Sequence, residues 1–161
     1  MGPSTAFTER APVTKILLSL HVLAAIIAIG PVTVAASMFP PAVRQAAPAG
    51  VGTAALLHRI CRVYAKVGLT VPLLGFATAA AMGVLGSGWL VTSIALTAAA
   101  AGILIAFVLP RQEELLGRLK DEQAVDRRST ARLAMFTGVF NLLWATVTVL
   151  MIVRPGSTTG A

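Results

Sequence analysis

Six side chains in this sequence combine a chemically useful group with a position that demands an account of it: His21, His58, Cys61, Met82, Asn141 and Met151. His21 lies about eight residues into an apolar run, on the order of 12 Å from its end at helical rise. An imidazole at that depth in a membrane must stay neutral, face other helices and find a partner. Two roles meet that requirement, a ligand or a hydrogen bond between helices. Transmembrane haem is commonly held by His with His or Met on the other side, and His with Met also suits copper. His58 is separated from His21 by roughly 25 Å, too far to share one iron within a subunit. Met82 and Met151 lie at a depth compatible with His21, so they are the candidates to complete haem or copper ligation, set against the ordinary use of Met as an adaptable packing residue.

Other chemistries lack their residues. The single cysteine, Cys61, excludes an internal disulfide and any CxxC metal or redox motif, and a lone Cys usually packs as a small apolar residue. No acid lies inside an apolar block, which disfavours a proton or ion pump, and no selectivity filter is recognisable. Neither G-x-S-x-G nor HExxH nor a Ser-His-Asp set can be assembled. No catalytic residue and no dedicated metal site is therefore assigned, and the chain reads as a non-enzyme.

These side chains are carried by a membrane protein. Of 161 residues 57% are hydrophobic and only 12% charged, and the mean hydropathy is +0.84. The net charge of +7 reads as topology and contact with anionic headgroups rather than as a nucleic-acid surface, since nearly all charge falls outside the apolar blocks. Four stretches are long enough to cross a bilayer as helices, near 13–38, 63–85, 89–109 and 133–153. The expected fold is all-α, a four-transmembrane-helix bundle of two antiparallel hairpins over 13–153, with short tails at 1–12 and 154–161. The first stretch is too long for a signal-peptide core and reads as a retained helix. Pro31 is expected to kink or locally rearrange it, and Phe39-Pro40-Pro41 to end it.

The connection that follows is read as a loop with a helical lead-in from Thr53. Gly86-Ser87-Gly88 joins spans two and three tightly, and Trp89 suits the interfacial belt. Pro110 is expected to end span three. The charged segment 111–130 then reads as an amphipathic helix against the membrane or a partner, or as a solvated loop helix. Ser129 or Thr130 would cap span four.

Small residues at three- and four-residue spacing mark helix-packing faces, Gly68, Gly75, Ala79 and Gly83 in span two and Ala98, Gly102 and Ala106 in span three. Asn141 is expected to bond across helices, with Thr33, Thr70, Ser93 or Thr137 as partner. Counting Lys and Arg gives three on the side of the termini and ten on the side of the long loops. The positive-inside rule then places both termini outside and both loops in the cytoplasm.

At Leu20-His21-Val22-Leu23-Ala24-Ala25-Ile26-Ile27-Ala28-Ile29-Gly30-Pro31, and more weakly at Arg62-Val63-Tyr64-Ala65-Lys66-Val67-Gly68, the chain resembles a bacterial family of small, uncharacterised integral membrane proteins. That family is distantly similar to the copper-resistance D membrane domain and to HemJ-type protoporphyrinogen oxidases, which share a first-helix Leu-His followed about nine residues later by Gly. The resemblance implies a multi-pass protein of the bacterial plasma membrane and a haem or porphyrin role for His21. Those relatives carry an essential Lys in a later span, and span three here has none, so the fold transfers and the activity does not. The leading expectation is an accessory or assembly subunit of a larger membrane complex, for example a respiratory one, in contact with lipid and with a membrane protein or a second copy. The alternative is a haem- or copper-binding membrane protein, redox-active through His21.

Overall fold

The computed structural model describes residues 5–45 and 49–156. The chain is all-α. Its helices are α1 (Thr5–Ala42), α2 (Ala49–Val67), α3 (Thr70–Met82), α4 (Gly88–Ile103), α5 (Leu109–Lys120) and α6 (Arg127–Val153), with a π-helical turn, Leu104–Val108, joining α4 to α5. Among the described residues they make four columns long and apolar enough to cross a membrane: Pro12–Ala42, Ala49–Met82, Gly88–Lys120 and Arg127–Val153.

Each column is longer than its apolar core, and the reasons are local. The first helix runs uninterrupted through Pro31 and does not end at Pro40-Pro41. Phe39, Ala42 and Val43 are buried there, so packing holds a turn that two missing N–H groups would otherwise weaken. Arg44 Nε caps it by donating to Pro40 O at 3.2 Å.

The second column begins at Ala49 rather than at 63. Ala54, Leu57, His58 and Cys61 are buried along one side of α2, while Arg59, Arg62 and Lys66 lie on the exposed side. The connection is thus helical from Thr53 onward as expected, and the helix, amphipathic, begins four residues earlier at Ala49. It breaks at Gly68-Leu69, where Pro72 cannot donate to Gly68 O; Val71 N takes that carbonyl at 3.1 Å.

Span three does not end at Pro110. Buried Ala100, Leu104, Val108 and Gln112 recur every four residues, a spacing that drifts by about 40° per step around a helix of 3.6 residues per turn. The π turn widens the coil where this drift accumulates and keeps the stripe facing inward. It also spares a donor next to Pro110, since Leu109 N–H bonds Leu104 O. The charged segment as far as Lys120 is accordingly an amphipathic helix, as expected, and it continues span three directly, burying Gln112, Leu115 and Leu116. Span four starts at Arg127, capped by Asp126, whose Oδ1 accepts from Arg128 N at 3.1 Å; Ser129 and Thr130 lie inside the helix.

The first column packs on both helices of the second and on α6; α4 packs on α6, and α5 on α2. The two arms joined by the 83–87 turn thus part, α3 to α1 and α4 to α6. Most of the core lies toward the ends with the two long connections, where Val32, Ala36, Phe39, Ala54, Leu57, Leu104, Leu115, Leu133 and Phe140 form one cluster. At the opposite end a smaller group of Ala79, Trp89 and Leu90 is completed by Val84 and Met151.

Candidate functional site

His21 is half-buried on α1 and turned toward α3. Its Nδ1 lies 3.0 Å from the backbone oxygen of Val71. A carbonyl only accepts, so the neutral ring carries its proton on Nδ1 and leaves Nε2 with the lone pair. The ring rests on Gly75, where a Cβ would meet His21 Cε1 at 2.8 Å and Nδ1 at 3.2 Å. Glycine is needed here because an imidazole occupies the space a side chain would take. A neutral His that donates its Nδ1–H to a backbone carbonyl is oriented as metal-bound imidazoles commonly are. The same bond also satisfies the helix-linking role.

The methionines are not gathered around it. Met82 lies seven residues beyond Gly75 on α3, about 10 Å of helix rise. Met151 packs against the Ala79, Trp89 and Leu90 group. A copper site of His with Met is therefore not assembled, whereas His21, through Nε2, would be the residue to hold a haem iron. Among the described residues no three His, Cys, Asp or Glu side chains converge on a point that could hold a metal ion.

A second polar constellation lies in the main core, and the sequence reading missed its central member. Gln112, 0% exposed, accepts from His58 Nδ1 on Oε1 at 3.2 Å and donates from Nε2 to Cys61 Sγ at 3.6 Å. Cys61 Sγ in turn points at Val32 O, 4.0 Å away. Because an amide oxygen only accepts and its nitrogen only donates, the chain has one direction, from the His58 proton to the Val32 carbonyl. It ties α2 to α5 and α1. His58 Nε2 is buried without a partner. The signal for Gln112 was its place at the end of the 104–108–112 spacing, masked by Arg111, Glu113 and Glu114 around it.

Asn141 Nδ2 donates to Ser37 Oγ at 3.1 Å, so the bond between α6 and α1 is made with Ser37 and with none of the partners expected. Asn141 Oδ1, Thr137 Oγ1 and Trp144 Nε1, at successive turns of α6, are buried without partners. The small residues divide by role. Ala79 is buried in the Trp89 group. Gly68 sits at the break between α2 and α3, where its N–H bonds Tyr64 O at 2.8 Å. Gly83, with φ of 68°, is the left-handed cap of α3 rather than a contact residue. Gly102 faces open space together with exposed Ala98 and Ala106, which corrects the packing face of span three to the opposite side, Leu90, Ser93, Ala100 and Leu104.

Comparison with known protein families, with curated proteins and with solved structures returns no match. The chain's geometry is left to speak for its function.

Proposed function

We propose that the chain is a non-catalytic integral membrane protein that acts as an accessory or assembly subunit, docking its first helix against a larger membrane complex. One observation carries this reading. From 12 to 27 no residue of α1 is buried, and Val13, Ile16, Leu20, Val22, Leu23, Ile26 and Ile27 are exposed, over a stretch of about 22 Å. The helix leans on α3 through the His21 side and leaves the rest of its circumference to the bilayer or to another helix. Both termini outside, and the bacterial plasma membrane as location, follow from the distribution of Lys and Arg and from the family resemblance, and belong to the same proposal.

A photo-crosslinking residue placed at Ile26 in the full chain tests it. Adducts with one heterologous membrane protein, absent when the residue is placed at lipid-facing Ile152, are expected. Adducts with lipid alone, or with the chain itself, would refute docking onto another protein.

A second reading is favoured by the fixed tautomer of His21, whose Nε2 lone pair is left for a haem iron. The protein would hold such a group through His21 on α1, oriented by Val71 and given room by Gly75. Bound haem would supply one-electron chemistry. A Soret band in the purified protein that is lost in His21→Ala supports this; a colourless protein from haem-supplemented cells refutes it.

A further inference from the structure

Span three from Trp89 to Arg111 and span four from Arg132 to Arg154 have the same length. From Trp89 to Arg111 and from Arg132 to Arg154 no charged residue intervenes, a rise on the order of 33 Å in each, close to the thickness of a bilayer's hydrocarbon core. At one end Arg154 lies over the Trp89 ring, 5.8 Å from its centroid. At the other, Arg111 lies over the Phe136 ring at 5.6 Å, and Phe136 is stacked on Phe107 at 4.8 Å with 16° between planes. The stack puts Phe107 and Phe136 at one level. Arg111 is four residues from Phe107 and Arg132 four from Phe136, both toward the connection between α5 and α6. The backbones of Arg111 and Arg132 therefore stand about one turn beyond the aromatic pair on facing helices, with the Arg111 guanidinium reaching back over Phe136.

Neither has an acidic partner. Arg118 pairs with Glu114 at 2.6 Å, whereas the guanidiniums of Arg111, Arg128 and Arg132 pair with no carboxylate among the described residues. Of the nearby acids, Glu114 is occupied by Arg118, Asp126 caps α6, and Glu113, two residues from Arg111, projects from the other side of its helix. Below the guanidiniums, toward the membrane centre, Phe107, Met135 and Val139 are exposed. Met135 and Val139 follow Arg132 at three and seven residues, on its face of α6.

We infer that this notch between α5 and α6 is a binding site for an anionic phospholipid. Arg111 and Arg132 hold the phosphate, Phe136 fixes the Arg111 guanidinium in place, and an acyl chain lies along Phe107, Met135 and Val139. Planar guanidiniums suit a phosphate diester better than ammonium groups do, and unpaired basic notches between membrane helices are recurrent headgroup sites. The apolar floor decides for a lipid over a dissolved anion, which would leave Phe107, Met135 and Val139 without an occupant.

The test uses the full chain in mild detergent, offered phosphatidylglycerol and phosphatidylcholine in equal amounts, with retained lipid counted by native mass spectrometry. Selective retention of phosphatidylglycerol is expected. R111Q/R132Q is expected to weaken it roughly tenfold or more, while K120Q/R127Q, with the same loss of charge, leaves it within about twofold. Equal retention of both lipids, or an equal loss in K120Q/R127Q, overturns the site in favour of diffuse attraction. Displacement of the lipid by millimolar inorganic phosphate overturns it in favour of an aqueous anion site. F136L keeps both charges and serves if the double variant does not fold; a several-fold loss is expected, and retention equal to that of the parent overturns the proposal.

Discussion

Replacing Gln112 with Leu conserves most of the side-chain volume and removes a carboxamide that serves two neighbours. His58, 6% exposed, is then left with a buried Nδ1–H that has no acceptor, beside an Nε2 lone pair that already has no donor. A buried donor deprived of its partner costs about 1–3 kcal/mol, and the thiol contact at 3.6 Å adds little. Q112L is thus expected to lower stability by about 2 kcal/mol. Replacing both ends of the bond by apolar groups of similar shape removes the orphan and is often close to neutral. H58L/Q112L is therefore expected to be more stable than Q112L alone, with a coupling of about 1–2 kcal/mol between the two positions. Reversible unfolding in mixed micelles, followed by far-ultraviolet circular dichroism, gives the four corners of the cycle. If the double variant loses the sum of the single losses, the two side chains act independently and the directed network is refuted.

The cradle under His21 gives a steric prediction. Gly75→Ala places a methyl 2.8 Å from the ring and is expected to cost about 1–3 kcal/mol; pairing it with His21→Ala should recover most of that loss in the same unfolding assay. Asp126→Ala removes the cap of α6 and should cost about 1 kcal/mol, with amide exchange accelerated in the first turn of α6 and not in its middle. Serine in place of Ser37's partner, Asn141→Ser, shortens the reach to α1 and should cost about 0.5–1 kcal/mol, measured against Ser37→Ala, with which it should not add. For topology, a cysteine at Gly88 is expected to react with an impermeant maleimide from outside intact cells and one at Lys120 only after permeabilisation; the reverse pattern would invert the orientation.

The four columns were legible because a bilayer asks for about 20 apolar residues in a row, a demand that leaves a plain trace in composition. What was not legible is where columns continue under charge. α2 carries Arg59 and Arg62 on its outer side and hides Leu57, His58 and Cys61 on its inner one, and a window average sees only the mixture. The segment after Pro110 misled for a second reason. Proline usually marks a helix end, but a π turn just before it removes that penalty, and nothing in Leu104–Val108 announces an i→i−5 bond.

At the site, His21 was conspicuous while its partner was not, because a backbone carbonyl has no signature in sequence. Gly75 was legible as small, yet its purpose depends on the imidazole opposite. Asn141 had several hydroxyls to choose from, and the packing of α1 on α6 put Ser37 in reach.

The concentration of the core at the end with the long connections has a consequence for how the molecule opens. Phe39, Leu115, Leu133 and Gln112, among the largest fully buried side chains, lie toward that end, while α3 and α4 separate from their shared turn. Local opening costs most where buried contacts are dense. Amide exchange should therefore be slowest around Phe39, Cys61, Leu115 and Leu133 and quicken steadily toward Gly83 and the first turns of α1. The bundle behaves as a clamp hinged at one membrane face, with its compliance gathered at the other.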